Sequence, residues 1–246
     1  MNRYGAMDVG KASGPTLKSL KGETWALKGV RILDVRTEIA AGPGDALIPP
    51  AVHPGIPSYG ALVVTIAEDS PVGPFVLAEL RVGVRVGAIG AFLVVGAICD
   101  NEAARAALAD NWGFSVAAGQ VRLDEFHHRV DARVTAGGRT VLDLGLTDLH
   151  ALPGTRLSVP SLVNLARHDG KAVLVNAPVS LTYAQANGGR ALLRAFDGAA
   201  FGAGDNFRPT HPMGAAYGMA DLTIEALDLV MDAGRPAEET MAPIAA

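Results

Sequence analysis

The sequence predicts an α+β fold: a mostly antiparallel, curved β-sheet or β-barrel with a few helices, including a C-terminal one. Three observations carry that reading. From Phe75 to Val86 apolar and polar residues alternate strictly, the period of a strand with two chemically different faces. Two turn signals, Ala136-Gly137-Gly138-Arg139 and Asp169-Gly170, each separate runs rich in β-branched residues. Helices of more than a turn or two are read at two places, over Glu102 to Asn111 and Met213 to Met231.

Residues 1 to about 24 are polar, aperiodic and rich in Gly, Ser and Lys, which predicts a mobile arm or one ordered against a neighbouring subunit. Regular structure begins near Trp25 in a single domain. Val30 to Arg36 alternates like a half-buried strand, Gly42 to Tyr59 with its five prolines reads as a loop or very short helix, and Gly60 to Ala67 reads as a strand. In the next strand Val76, Ala78, Leu80, Val82, Val84 and Val86 point one way, while Glu79, Arg81, Gly83 and Arg85 point the other. Ala88 to Cys99 is apolar almost throughout and reads as a strand buried on both faces, with Asp100 or Asn101 capping the helix that follows.

Val121 to Val134 and Thr140 to Leu146 are read as one hairpin, and Ser161–Ala166 with Ala172–Tyr183 as another. Arg190 to Phe196 adds a strand. After a loop, Asp197 to Pro212, the final helix is expected to bury Met219, Leu222, Leu227 and Val230.

The composition fits a globular protein, with 49% apolar and 19% charged residues. A net charge of -4 without a basic block argues against nucleic acid as a partner. The single cysteine, Cys99, admits no internal disulfide. The N-terminus lacks the apolar core of a secretory signal, and the apolar run Val86 to Cys99 is too short and too glycine-rich to span a bilayer as a helix. A soluble, cytoplasmic protein acting on a small molecule, without nucleic acid or membrane partners, is expected.

Three local patterns resemble acetoacetate decarboxylase. The first is the strand carrying Glu79 followed by a partner strand ending in Asp100-Asn101-Glu102. The second is Trp112-Gly113-Phe114, similar to the segment that precedes that family's catalytic lysine pair. The third is the late run from Pro160 to Ala220, with its His168-Asp169-Gly170 turn and the strand before Phe196-Asp197. Their order covers most of the chain and implies the acetoacetate decarboxylase-like fold, a homo-oligomer, and a pocket at Glu79, Arg81, Trp112, Phe114 and Val116. The chain departs from the family where Ser115-Val116-Ala117 stands in place of Pro-Lys-Lys. A second acidic position of the family pocket falls at Val63 or Val64.

The residues themselves agree, because an imine-forming lysine must be desolvated or set beside another cation. Lys11, Lys18, Lys21 and Lys28 lie in or beside the polar arm, and Lys171 follows a turn. With the resemblance Glu79 is read as a general acid or base in an apolar cavity, with Arg81 binding substrate. Without it, an exposed Glu79/Arg81/Arg85 ladder is the plainer reading. His211, before the final helix, suits proton shuttling or is an ordinary loop histidine, and Tyr217, one turn into that helix, is a phenolic donor or simply core.

His127 and His128 are adjacent on an expected strand, facing opposite ways, so they do not share a metal. Neither metal nor cofactor is expected. Ser115 and Ser158 lack the spacing of a nucleophilic serine, and the glycines at 83, 87 and 90 lie in a β-hairpin rather than a nucleotide loop. The expectation is an enzyme, a lyase or isomerase, performing acid–base work on a carbonyl compound, with secondary metabolism as a setting. The alternatives are a non-catalytic pocket for an apolar molecule and a decarboxylase with an unexpected lysine.

Overall fold

The computed structural model describes residues 4–154, 157, 160–236 and 242–243. Long alternating segments build one sheet of fifteen strands among these residues. They are β1 Trp25–Ile39, β2 His53–Pro54, β3 Tyr59–Ala67, β4 Phe75–Val86, β5 Ile89–Cys99, β6 Val116–Ala118, β7 Gln120–Phe126 and β8 Arg129–Ala136. There follow β9 Arg139–Ala151, β10 Ser161–His168, β11 Lys171–Ala177, β12 Val179–Phe196, β13 Pro209–Ile224, β14 Leu229–Asp232 and β15 Ala242–Pro243. The order across the sheet is β15-β14-β11-β10-β5-β4-β3-β1-β13-β12-β9-β8-β7, with β2 on β4 and β6 on β5. Pairing is antiparallel except where β5 meets β10 and β6. The sheet is curved and unclosed.

Its pleat sorts the core into two layers. Leu33, Val64, Leu80, Val82, Leu93 and Leu144 fill one face, whereas Ile32, Val63, Leu77, Phe92, Leu162 and Leu222 fill the other. A short helix α1, Ala41–Asp45, lies in the proline-rich segment. Helix α2, Glu102–Trp112, lays Ala104, Leu108 and Trp112, four residues apart, on the second layer. Asn101 starts it, its side chain accepting from Ala104 N at 3.0 Å and donating to Pro74 O at 2.9 Å. Gly113 ends it at φ 73°, in the left-handed region.

The expected turns form as the residues require, Gly137-Gly138 and Asp169-Gly170 both having positive φ. Two expectations are corrected. Residues Met213 to Met231 are not a helix: they form the end of β13, a bend, and β14, and β13 lies deep in the sheet between β1 and β12. The signal was there as Ala220-Asp221-Leu222-Thr223-Ile224, which buries every second residue. Residues Val121 to Val134 are not one strand but the β7–β8 hairpin, turning at the exposed His127-His128, where Phe126 pairs with Arg129. The arm expected at residues 1–24 packs, from Tyr4 onward, along its own chain: Gly5 N donates to Val52 O, Leu17 N to Arg167 O, and Leu17 is buried.

Candidate active site

The register of four neighbouring strands sets out the site. Glu79 on β4 stands opposite Val63 on β3, which stands opposite Asp34 on β1. One step along, Arg81 pairs with Ala61 and Ala61 with Arg36. Asp34-x-Arg36 and Glu79-x-Arg81 therefore lie on one face of the sheet, two strands apart, with only Val63 and Ala61 between them.

That face is covered. Phe75, Leu77, Leu108, Phe114, Leu162, Val179 and Leu181 are among the residues enclosing, with Asp34, Thr65, Glu79 and Arg81, a narrow cavity of about 30 Å³ open to the centre of a water molecule, room for a few waters. The cavity is apolar apart from these four. Glu79 and Arg81 are only 2% and 7% exposed, which rules out a solvent-facing ladder. Arg81 Nε donates to Glu79 Oε1 at 3.1 Å and Nη2 to Oε2 at 2.6 Å, a forked pair that satisfies both carboxylate oxygens.

Asp34 is paired differently, since Arg36 Nε and Nη2 both donate to its Oδ2, at 3.1 and 3.0 Å. The Arg36 guanidinium also lies 5.7 Å from the Phe92 ring centroid, and Phe92 meets Tyr59 edge-on. The Tyr59 ring occupies the space above Gly83, where an added Cβ would come within 2.2 Å of it. Burial raises the Tyr59 phenol, with Arg36 pulling it back. Tyr183 on β12 is pushed up to about 12 by burial and by the charge of Asp34, so it holds its proton at neutral pH.

The residues named from the sequence fall into three groups. Glu79, Arg81 and Phe114 line the cavity. Trp112 and Val116 lie beside it. Trp112 packs edge-on against Trp25 and donates from Nε1 to Glu225 O at 2.8 Å. Val116 stands in the row of Glu79, beyond Ala97, and presents an isopropyl group where the resemblance would set a lysine. His211 and Tyr217 do not meet Glu79. Tyr217 is buried in the layer on the opposite face, its hydroxyl donating to Glu125 Oε2 at 2.7 Å, and burial with that carboxylate raises it far above its ordinary value. His211 is exposed, 4.0 Å from Glu38 Oε2, in a depression with Val35, Leu62 and Leu193. The helix that was to carry Tyr217 to the pocket is a strand, and its alternation points the phenol the other way.

All five lysines, Lys11, Lys18, Lys21, Lys28 and Lys171, are exposed, and none lines the cavity. Ser115 lines a separate groove beneath the N-terminal segment, and Ser158 lies outside the described residues. Cys99 is buried, which raises its thiol. Sequence reasoning missed Asp34, Arg36 and Tyr183. The repeated acid-x-Arg pattern on two strands was the signal for the first two.

No protein-family model and no curated protein sequence matches the chain. Solved structures do. Acetoacetate decarboxylase from Legionella pneumophila aligns with a TM-score of 0.76 at 15% identity, covering 92% of this chain and 90% of its own. An acetoacetate decarboxylase-like enzyme from Sphingomonas wittichii aligns with a TM-score of 0.69 at 16% identity, over 98% of this chain and 100% of its own. The enduracididine biosynthesis enzyme MppR, complexed with pyruvate, aligns with a TM-score of 0.68 at 15% identity, over 87% and 97%. The chain has the acetoacetate decarboxylase-like fold.

Proposed function

We propose that this chain is an enzyme of the acetoacetate decarboxylase-like superfamily that moves protons on a small carbonyl compound without forming an imine. The observation that carries the proposal is the buried Glu79–Arg81 pair at the polar end of an otherwise apolar cavity. Arg81 supplies positive charge for a carbonyl or carboxylate oxygen, and Glu79 holds that guanidinium in place beside the transferred proton. The narrow cavity favours a compound of a few carbons, and the pyruvate complex of the structurally similar MppR supports that size. Isomerisation, dehydration or cyclisation each fit such proton transfer.

The exposure of every lysine supports chemistry other than imine formation. Incubation with acetoacetate or pyruvate and borohydride is expected to leave the intact mass unchanged, and a stable adduct refutes this part of the proposal. Exchange of the pyruvate methyl protons for solvent deuterium, followed by NMR, reads proton transfer directly. Glu79→Gln is expected to slow it by about a hundredfold or more.

The apolar lining favours a second reading, a binding protein for an apolar small molecule. Binding without exchange, unaltered by Glu79→Gln, would select it.

A further inference from the structure

The two carboxylates of the cavity differ in what is left to them. Both oxygens of Glu79 are occupied by one guanidinium. Asp34 gives Arg36 only Oδ2, and its buried Oδ1 has no hydrogen-bond partner among the described residues. Asp34 is 8% exposed and lines the cavity, so bulk water does not complete that oxygen. A buried acceptor left open in this way is a place for a ligand's proton.

We propose that Asp34 is the proton-accepting carboxylate of this site, an assignment that rests on the proton-transfer reading above. Its Oδ1 takes a proton from the carbon next to the substrate carbonyl. The C–H bond breaks, an O–H bond forms on Asp34, and the electron pair passes into the carbonyl to give an enolate. Charge stays balanced throughout. As Asp34 becomes neutral, Arg36 loses its counter-charge while the enolate gains one, and the Arg81 guanidinium lies on the same face. Swapping of the proton on Asp34 with a water in the cavity, followed by its return to the same carbon, gives exchange, and its return to a neighbouring carbon gives isomerisation.

The spacing suits a small planar compound. Asp34 and Glu79 are two strands apart, roughly 10 Å between Cα atoms, with Val63 alone intervening, and Ala61 leaves the floor low between the two arginines. A carbonyl carbon bound between them meets an open carboxylate oxygen at one end and guanidinium at the other.

Deuterium exchange into pyruvate separates this assignment from the reading it rests on. Asp34→Asn is expected to lower wild-type exchange by about a hundredfold with the circular dichroism spectrum retained. Asp34→Ala is expected to lose exchange and to regain at least about a tenth of it with added formate, which returns a carboxylate to the vacated space. Exchange by Asp34→Asn within a few-fold of wild type overturns Asp34 and leaves the proton-transfer reading intact. Loss without formate rescue in a folded Asp34→Ala assigns Asp34 to positioning Arg36 and likewise overturns it, as does failure of both variants to fold. Absence of exchange by the wild-type protein removes the proton-transfer reading and Asp34 with it.

Discussion

Glu79 and Arg81 are charged, almost fully buried and bonded to each other, so replacing one alone strands the other in an apolar cavity. Their side chains are 3% and 8% exposed, and the shorter contact between them is 2.6 Å. Breaking a buried pair from one side costs about 3–5 kcal/mol, whereas replacing both partners by apolar residues of similar volume is often nearly neutral. Glu79→Leu and Arg81→Met should each cost that amount, while the double variant should lose less than either. For a chain of this size each kcal/mol moves the melting temperature by about 2–4 °C, so each single variant falls by roughly 6–20 °C. Calorimetry on the four proteins of the cycle measures it, with a favourable coupling of about 2 kcal/mol or more expected. Single variants that lose less than about 1 kcal/mol, as an exposed ion pair does, would refute the burial argument. So would a double variant whose loss is the sum of the two.

Two further predictions come from other buried polar groups. Asn164 is 1% exposed, and neither polar atom of its side chain has a hydrogen-bond partner among the described residues. Asn164→Leu should therefore raise stability by about 1–3 kcal/mol in urea unfolding, and a loss would show that the amide is satisfied. The Tyr183 phenol holds its proton to about 12 when folded against an ordinary value of 10, so between those limits the unfolded chain carries fewer protons. Stability should fall as pH rises through that window, and Tyr183→Phe should flatten part of the fall; an unchanged pH profile would contradict the burial of the phenol.

Much of the fold was legible because strand alternation and turn chemistry are local. Phe75 to Val86 reads as β4 because its apolar residues recur every second position, and Gly137-Gly138 reads as a turn because its backbone needs positive φ. The last third misled for the opposite reason. Met213 to Met231 is rich in Ala, Met and Leu, residues with helical preference, and only the pairing of β13 between β1 and β12 overrides it. His127-His128 failed similarly, since a two-residue turn lacking Gly or Asn is set by the pairing of Phe126 with Arg129 rather than by the turn residues.

The site was half legible, and the missing half is a matter of sheet order. Alternation put Glu79 and Arg81 on one face of β4, but whether that face meets water depends on α2, Phe114, Leu162 and β12, none adjacent in sequence. Asp34 and Arg36 repeat the same acid-x-Arg spacing, yet nothing local says that β1 lies two strands from β4 with β3 between. Once that order is known, the register alone brings Asp34 opposite Val63 and Val63 opposite Glu79. The second acidic group of the resembling pocket was sought on β3, where valine stands. In this chain the acid lies one strand further on, beside its own arginine, and a substrate that spans the two carboxylates must cross Val63. Enlarging that residue, as in Val63→Phe, is expected to close the path and abolish pyruvate exchange while both ion pairs remain, and exchange persisting in a folded Val63→Phe would show that the two carboxylates do not act on one molecule.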